Sequence, residues 1–326
     1  MPSTVLVTGA NGFVGRSLCF ELENSGHRVR AAVRDAKRGH GLPGEIVVTG
    51  DLSRDTDWPS VIPGVDAIIH LAARVHVMNE TDSDPLLAFR ALNVDATVGL
   101  ARSAAQLGVK RLLYVSSIKV NGEATGARPF SPEDVPNPQD PYGMSKWEAE
   151  QALWKIAEET GLEVTVVRPP LVYGPGVGGN FARLLKLVRS GIPLPFGTVD
   201  NRRSMVYVGN LASALIVCAT HAAAAGRTYL VSDGEDLSTP SLISHLAQLV
   251  GNRGRLLPVP VSLLRLAGKI TGKQGEVDRL IGSLTVDSTA LRTSLGWVPP
   301  FTVVEGLAQT AQWFSTAPHN RGAQTQ

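Results

Sequence analysis

Two residues in the middle of the sequence have the types and spacing of an acid–base pair. Tyr142 and Lys146 are four positions apart at the start of a segment with helical periodicity, so their side chains share one helix face. A free phenol has a pKa of about 10, and a neighbouring ammonium group lowers that pKa towards neutrality, where proton transfer is efficient. The pattern therefore predicts an acid–base tyrosine assisted by a lysine. A chain of this composition yields the same spacing by chance roughly 0.1 times.

Hydroxyl groups for the same chemistry follow a short apolar run. Ser116 and Ser117 come directly after Leu112–Val115, which predicts a buried strand. The carboxyl ends of parallel strands are where such sheets bind ligands, so a hydroxyl here would reach the same substrate oxygen as Tyr142. A serine after a strand also caps turns and helices, and this simpler role remains open for both serines.

Three glycines near the N-terminus have the arrangement of a phosphate-binding turn. Gly9, Gly12 and Gly15 follow the apolar run Thr4–Thr8 and open a segment with helical spacing. Glycine reaches positive φ and lets the backbone approach a pyrophosphate, while the helix N-terminus supplies free N–H groups. The spacing G-x-x-G-x-x-G is one residue longer than the usual fingerprint, and a plain glycine-rich turn is the alternative. Its place between a strand and a helix predicts a dinucleotide site.

The end of the second predicted strand indicates which dinucleotide is bound. An acid at this point binds the ribose 2′-hydroxyl of NAD, whereas an arginine accommodates the 2′-phosphate of NADP. Here the strand ends at Arg34, and Lys37 and Arg38 add positive charge. We therefore expect NADP, with NADPH as the reduced form, and keep NAD as possible. In that alternative Asp35 reaches the ribose and the three cations are solvated.

Short apolar runs and helical segments alternate along the first two-thirds of the chain. This alternation predicts an α/β Rossmann fold, a doubly wound parallel sheet whose ligands bind beyond the carboxyl ends of its strands. The expected strands are Thr4–Thr8, Val29–Val33, Ile46–Val48, Ala67–Leu71, Leu112–Val115 and Val164–Val167, and the expected helices are Gly12–Asn24, Pro85–Leu107 and Tyr142–Thr160.

The texture of the sequence changes after Arg168, where Pro169–Gly179 is rich in proline and glycine. We predict a Rossmann domain at 1–168, a smaller α/β substrate lobe at 169–314 and a frayed tail at 315–326, with the chain passing between the lobes near 204–232. The expected elements of the lobe are helices at Asn180–Ser190, Gly209–His221, Thr239–Val250 and Val261–Lys269, and strands near Arg227–Val231 and Arg255–Pro258.

Composition excludes several classes of protein. The 326 residues carry 31 Lys and Arg against 29 Asp and Glu without a basic run, so we expect no nucleic-acid partner. Cys19 and Cys218 lie far apart, which excludes a disulfide framework and a zinc site, and no other metal site is predicted. No apolar run reaches the ~18 residues of a membrane span, and no signal peptide is evident. We expect a soluble cytoplasmic protein.

These motifs, in this order, resemble the extended short-chain dehydrogenase/reductase family over residues 3 to about 313. The subgroup is that of the NAD(P)-dependent nucleotide-sugar epimerases, dehydratases and reductases, such as UDP-glucose 4-epimerase. The residues that carry the resemblance are Gly9, Gly12, Gly15, Asp51, Leu52, His70–Ala73, Asn93, Ser116, Ser117, Tyr142, Lys146 and Arg168–Pro175.

The resemblance implies roles for individual residues. Tyr142 would be the catalytic acid or base, with Ser117 and Lys146 as its partners. The cofactor would contact Gly9, Asn11, Gly12, Phe13, Val14, Gly15, Arg34, Asp51, Leu52, Leu71, Ala72, Ala73, Asn93, Ser116, Tyr142, Lys146 and Pro169. The substrate would contact Ser117, Lys119, Asn180, Arg203 and Arg279, of which the two arginines would bind a diphosphate.

The resemblance also implies a function. The whole chain is most similar to bacterial 4-reductases of UDP-linked 6-deoxy-4-keto-hexosamines, so we expect an NADPH-dependent 4-keto reductase of a UDP-linked (N-acetyl) 6-deoxyhexose in surface polysaccharide biosynthesis. An NAD-dependent UDP-hexose 4-epimerase is the alternative, and a non-catalytic NADP-sensing regulator a remoter one. Asn121 replaces a tyrosine common in epimerases, and Lys119 beside it is unusual. Family members often dimerise through the Pro85–Leu107 and Tyr142–Thr160 helices, which implies a homodimer.

Overall fold

A seven-stranded parallel sheet forms the centre of the protein in the computed structural model, which describes residues 3–75 and 84–316. The strand order is β3-β2-β1-β4-β5-β6-β9, so the order reverses between β1 and β4. Every pairing in this sheet is parallel, which confirms the doubly wound α/β fold. The strands are β1 (Thr4–Thr8), β2 (Arg28–Val33), β3 (Glu45–Val48), β4 (Ala67–His70), β5 (Arg111–Val115), β6 (Glu163–Arg168) and β9 (Arg227–Leu230).

Helices cover both faces of this sheet because its strands are apolar on both faces. In β1, Val5 and Val7 pack into one cluster with α1 (Phe13–Asn24) and α6 (Val208–Thr220). Leu6 points to the opposite face, where α3 (Ala96–Gln106) and α4 (Pro141–Thr160) supply the packing partners. The alternation of side chains along a strand thus gives the sheet two separate apolar cores.

The first helical segment after β4 differs from the sequence prediction. In place of one helix over Pro85–Leu107, the structure has α2 (Pro85–Arg90), a π-helical turn at Ala91–Asp95 and then α3. The wider turn carries Asn93, which is buried. Its amide bonds the backbone of Arg74 and the hydroxyl of Ser145, so it ties this turn to the loop after β4 and to α4.

The start of α4 is set by local chemistry. Asp140 is its N-cap, and the carboxylate accepts a hydrogen bond from the N–H of Gly143 at 2.7 Å. Pro141 occupies the first turn, where a missing N–H is no loss. Gly161 ends the helix in a left-handed conformation, with φ of 77°. These signals hold Tyr142 and Lys146 in the first two turns.

The remaining chain forms shorter elements. A two-stranded parallel sheet of β7 (Leu171–Tyr173) and β8 (Met205–Tyr207) was not predicted, because three residues show no periodicity. The strand predicted at Arg255–Pro258 is reduced to a single bridge between Leu194 and Leu256. The other helices are α5 (Gly179–Arg189), α7 (Thr239–Leu249), α8 (Val261–Ile270), α9 (Gln274–Ile281), α10 (Thr289–Leu295) and α11 (Val303–Thr316).

The division into two lobes at residue 168 stays a prediction. From beyond that boundary, α6 packs on α1 and β9 extends the large sheet beside β6. Most of the predicted tail, residues 317–326, lies outside the described residues, and Ser315 and Thr316 complete α11.

Candidate active site

The turn after β1 is built so that only glycine fits at two of its positions. Gly9 has φ of +67°, and a Cβ there would lie 2.9 Å from the backbone nitrogen of Ala72. A Cβ on Gly15 would lie 2.2 Å from the carbonyl oxygen of Gly9. The N–H of Gly12 donates to the same carbonyl oxygen at 2.9 Å. Gly12 is also the residue directly before α1. The turn therefore leaves an open backbone surface at a helix N-terminus, which is the surface that a pyrophosphate needs.

A cavity of about 760 Å³ opens from this turn along the carboxyl ends of the strands. Its position is the one expected for the ligand of a doubly wound sheet, and its size fits a dinucleotide. The predicted residues that line it are Gly9, Asn11, Gly12, Phe13, Val14, Gly15, Arg34, Asp51, Leu52, Leu71, Ala72, Ala73, Ser116, Ser117, Tyr142, Lys146 and Pro169. Asn93 is absent from this lining because it lies behind it, against the Arg74 backbone.

Charged side chains stand at the end of the cavity next to β2. Asp35 is turned away from the cavity, since its carboxylate caps a short helix by accepting from the backbone and the Nε of Arg38. Arg34 and Arg38 do line the cavity, and Arg34 Nε lies 2.6 Å from an oxygen of Asp51. Among the described residues, the end of β2 therefore presents guanidinium groups and no carboxylate of its own.

Tyr142, Lys146 and Ser117 come together at the other end of the cavity. The hydroxyl of Ser117 lies close enough to the phenol of Tyr142 to lower the pKa of that phenol. Lys146 lies one turn behind and donates to the carbonyl oxygen of Val115 at 2.9 Å. Its ammonium lies 4.4 Å from the ring centre of Tyr114 and 6.0 Å from that of Tyr142. The hydroxyl and the phenol can therefore reach one substrate oxygen, while the lysine stands behind them.

The electrostatics of the pair differ from the sequence expectation. Burial, helped by the negative charge of Asp140, raises the pKa of Tyr142 to about 12, although the hydrogen bond to Ser117 lowers it. Burial also lowers the pKa of Lys146 to about 7, against the opposite effect of Glu150. An uncharged phenol is suited to donating a proton. The expected lowering of the pKa by Lys146 does not occur: burial is the largest cause of the shift, and Lys146 Nζ donates to the carbonyl oxygen of Val115.

The two serines have different partners. The hydroxyl of Ser117 accepts from the N–H of Lys119 at 3.3 Å and lies near Tyr142, whereas the hydroxyl of Ser116 donates to Glu150 in α4. Glu150 in turn forms a buried ion pair with Arg168, whose Nη1 also donates to Asn121 at 3.0 Å. Sequence reasoning missed Glu150, although its position one turn after Lys146 places it on the same helix face.

Three of the predicted substrate residues, Lys119, Arg203 and Arg279, belong to a charged cluster outside the cavity. Arg203 is partly buried, and its Nη1 donates to the carbonyl oxygens of Arg279 and Gly282 at 2.7 and 3.0 Å. Burial and the positive charge of Arg279 lower the pKa of Arg203, while Glu123 raises it. Lys119 pairs with Glu123 at 2.8 Å.

Lys119 also connects this cluster to the tyrosine. Its ammonium contacts Asp140, the carboxylate whose charge raises the pKa of Tyr142. Asn180 lies exposed in the first turn of α5, and Arg183 one turn later pairs with Glu276 of α9, the helix that carries Arg279. None of Lys119, Asn180, Arg203 and Arg279 lines the dinucleotide cavity.

The described residues contain no candidate metal site and no candidate membrane span. Within residues 3–75 and 84–316, no group of His, Cys, Asp and Glu side chains could hold a metal ion. Over the same residues, no helix is long and apolar enough to cross a membrane. Cys19 and Cys218 are buried free thiols.

Comparison with known proteins identifies the family. The sequence model of the NAD dependent epimerase/dehydratase family matches residues 5–232, which include the glycine turn, Tyr142 and Lys146. The chain belongs to this family. A UDP-glucose 4-epimerase of Vibrio cholerae is 44% identical over 321 residues, covering 97% of each chain.

More distant members extend the comparison. An Escherichia coli O157:H7 N-acetyl-alpha-D-glucosaminyl-diphospho-ditrans,octacis-undecaprenol 4-epimerase is 29% identical over 330 residues, with 96% of each chain covered. Among solved structures, MoeE5 in complex with UDP-glucose and NAD superimposes with a TM-score of 0.75 at 28% identity, covering 96% of this chain and 98% of that one.

Family membership confirms two predictions from the sequence. The chain is an enzyme of the NAD dependent epimerase/dehydratase family, and its fold is the Rossmann α/β fold of that family. The glycine turn and the cavity fit the dinucleotide that the family requires. The roles of individual residues remain predictions.

Proposed function

We propose that the chain is an NADPH-dependent 4-keto reductase of a UDP-linked, N-acetylated 6-deoxyhexose, acting in the cytoplasm in surface polysaccharide biosynthesis. The observation that carries this proposal is the close approach of Ser117 to the phenol of Tyr142 in the lining of the dinucleotide cavity, with Lys146 one turn further along α4. A phenol that keeps its proton is suited to protonating a developing alkoxide.

The residues of the chain would handle the oxygen and the proton. The nicotinamide, when bound, supplies the hydride that attacks C4 of the sugar. Tyr142 would donate its proton to the 4-oxygen as negative charge develops there, and Ser117 would hold that oxygen by a hydrogen bond. Lys146, with a pKa of about 7, would favour the phenolate left behind and so ease proton loss from Tyr142. The ketone gains one hydride and one proton and becomes a secondary alcohol.

The charged cluster supports a diphosphate-bearing substrate. The positive charge of Arg279 lowers the pKa of Arg203, so the two guanidinium groups are near each other, and such groups pair well with diphosphate oxygens. Lys119 and Asn180 are the other two residues expected to contact this part of the substrate. The relative named UDP-glucose 4-epimerase and the MoeE5 complex with UDP-glucose favour a UDP-sugar.

The preference for NADP is supported by the end of β2. Arg34 and Arg38 line the cavity there, while Asp35 is engaged as a helix cap. A 2′-phosphate would gain charge-assisted hydrogen bonds from these guanidinium groups. The family itself is NAD-dependent, so the NADP preference belongs to the proposal alone.

A UDP-hexose 4-epimerase is the second candidate. The 44% identity to the Vibrio cholerae UDP-glucose 4-epimerase over nearly the whole chain favours it. The same Tyr142 would first remove and then return the proton of the 4-hydroxyl, and the cofactor would be NAD, which is regenerated in each cycle.

One experiment separates these candidates. The purified enzyme is incubated with NADPH and a UDP-linked 4-keto-6-deoxy-N-acetylhexosamine, and in parallel with UDP-glucose and no added cofactor. Oxidation of NADPH, with one alcohol formed per NADPH, supports the reductase. Formation of UDP-galactose without added cofactor supports the epimerase and overturns the reductase. The variant Tyr142→Phe should abolish whichever reaction is observed.

We also propose a homodimer. The resemblance places its contact on residues 85–107 and 142–160, where α3 and α4 pack side by side on one face of the sheet. Light scattering of the purified enzyme would give twice the mass of one chain, and a mass of one chain would contradict this proposal.

A further inference from the structure

An unusual band of exposed apolar side chains lies on α8, far along the chain from the cavity residues. We call Leu263, Leu266 and Ile270 the α8 face, and their exposed fractions are 54%, 53% and 75%. Spacings of three and four residues put all three on one side of the helix. Exposed large apolar residues are usually scattered singly, so three in a row point to a surface that becomes covered.

The other side of α8 is held firmly by the protein. Leu264 is buried in a small cluster with Val199 and Ile281. Gly268 is also buried, and a Cβ there would lie 2.9 Å from a methyl group of Val277 in α9. The helix is therefore anchored by one side, and the α8 face is not the result of a loosely attached helix.

The charges in the sequence segment that contains α8 are all of one sign, although the neighbouring helix α9 adds two acids. Residues 237–275 contain five basic residues and no Asp or Glu, in a chain whose totals are nearly balanced. The five basic residues, all exposed, are Arg253, Arg255, Arg265, Lys269 and Lys273. Arg265 and Lys269 are one helical turn apart within α8, beside the α8 face. The first acids beyond this segment are Glu276 and Asp278 of α9, and Glu276 pairs with Arg183.

An exposed apolar face flanked by cations has a specific physical partner. Apolar side chains enter the boundary between headgroups and acyl chains, and Lys and Arg beside them bind anionic headgroups. A protein partner could bury the α8 face as well, but it would need a matching set of acids for the five cations. An anionic bilayer offers both features in one surface.

We propose that the α8 face docks the enzyme onto an anionic lipid surface, with α8 lying in the plane of the headgroups. The attachment needs no spanning helix. Arg203 bonds the carbonyl of Arg279 at the end of α9, so the docked helices are continuous with the proposed diphosphate cluster. Docking would therefore hold that cluster near the membrane surface.

The test is co-sedimentation of the full chain with vesicles. The probes are vesicles of phosphatidylglycerol mixed with phosphatidylcholine, and vesicles of phosphatidylcholine alone. We expect binding to the anionic vesicles, weakened by salt, and little binding to the neutral ones. The variant Leu266→Ser/Ile270→Ser should lower the partition coefficient at least about tenfold. Lys269→Gln should lower it about fivefold.

Matched controls come from other surfaces. Val304→Ser changes a residue with the same exposed fraction as Leu263, 54%, on α11, and Lys110→Gln removes an exposed charge far from α8 in sequence. Both should bind vesicles like the parent chain. Equal binding by the α8 double variant, or no binding to anionic vesicles by the parent, overturns the proposal.

A second copy of the chain is the competing occupant of the α8 face. Suppose that the parent chain does not bind vesicles and that Leu266→Ser/Ile270→Ser lowers the particle mass measured by light scattering. The α8 face is then an interface between copies of the chain, and the lipid proposal is wrong. The vesicle assay needs no turnover, so its outcome is independent of the proposed function.

Discussion

Glu150 and Arg168 form an ion pair that is closed off from solvent directly behind the serine segment. Arg168 Nη2 lies 2.6 Å and its Nε 3.0 Å from the two carboxylate oxygens, and the side chains are 0% and 4% exposed. The carboxylate also accepts from Ser116. The pair therefore connects the ends of β5 and β6 to α4, the helix that carries Tyr142 and Lys146. It places a negative charge one turn from the lysine.

Removing this charge should change the pH dependence of the reaction. Glu150 raises the pKa of Lys146, against burial, and the balance is about 7. In Glu150→Gln the pKa of Lys146 falls further, so the ammonium form disappears at a lower pH. We expect the alkaline limb of the pH profile of kcat/KM to move to lower pH. Glu158→Gln, an exposed change on the same helix, should leave the limb in place. If the alkaline limb of the pH profile does not move in Glu150→Gln, the ion pair of Glu150 and Arg168 has only a structural role.

The same ion pair should be costly to break from one side. Glu150→Gln leaves the guanidinium of Arg168 buried without its counter-charge, and such changes lower the free energy of unfolding by about 3–5 kcal/mol. The double variant Glu150→Gln/Arg168→Gln removes both charges, so its loss should be smaller than the sum of the two single losses. Urea unfolding of the four proteins measures this coupling, and simple additivity would contradict it.

The acid–base assignment makes a sharper prediction. Tyr142→Phe removes the proton donor but keeps the ring that packs near Phe89. Turnover should fall at least about 100-fold, whereas the affinity for the dinucleotide should stay unchanged. Tyr229→Phe, in β9, should change neither quantity. A Tyr142→Phe enzyme with more than about a tenth of the parent turnover would show that another group transfers the proton.

The proposed cofactor preference can be tested at the end of β2. Arg34→Gln or Arg38→Gln should raise the KM for NADPH about tenfold each, because a charge-assisted bond to the 2′-phosphate is lost. The KM for NADH should stay within about twofold in both variants. Lys37→Gln is the control, since Lys37 does not line the cavity. An equal rise in KM for NADPH and for NADH would mean that the arginines contact the part of the molecule that both dinucleotides share.

The parts of this site that depend on local spacing were predictable from the sequence. The spacing of Gly9, Gly12 and Gly15 between a strand and a helix predicts a tight turn. Tyr142 and Lys146 share a helix face because they are four residues apart. The direction of the pKa shift of Tyr142 was not predictable from the sequence. Its largest cause is burial, which depends on the whole fold, and the charge of Asp140 adds to it. The π-helical turn at Asn93 was not predictable either, because the hydrophobic periodicity of this segment predicts an ordinary α-helix.

Side-chain contacts between different elements were also not predictable from the sequence. Ser116 and Ser117 are adjacent and identical in sequence, yet their side chains bind different groups, and nothing local separates them. Arg168 closes β6 as a charged residue in an apolar context, a signal of a buried pair. Its partner Glu150 lies on another element, and single-sequence reasoning has no access to that contact.

Lys146 should make the stability of the enzyme depend on pH in the alkaline range. Burial lowers its pKa from an ordinary value of 10.5 to about 7. Between these two values the unfolded chain binds a proton that the folded chain does not, so the free energy of unfolding rises with pH. Below pH 7 the cost of burying the ammonium is present in full, and above 10.5 it has vanished. Lys146→Met has no such group, so any advantage of the variant is greatest below pH 7 and shrinks as the pH rises.

Urea unfolding at several pH values between about 6 and about 10 measures this difference. The two curves of stability against pH should converge towards the alkaline end, because only the parent chain gains from the loss of the proton. Lys155→Met, an exposed change on the same helix, should give a curve parallel to that of the parent. Parallel curves for Lys146→Met as well would mean that the lysine keeps its ordinary pKa in the folded enzyme. The ammonium would then be permanently charged beside Tyr142, and the proposed easing of proton loss would need no contribution from burial.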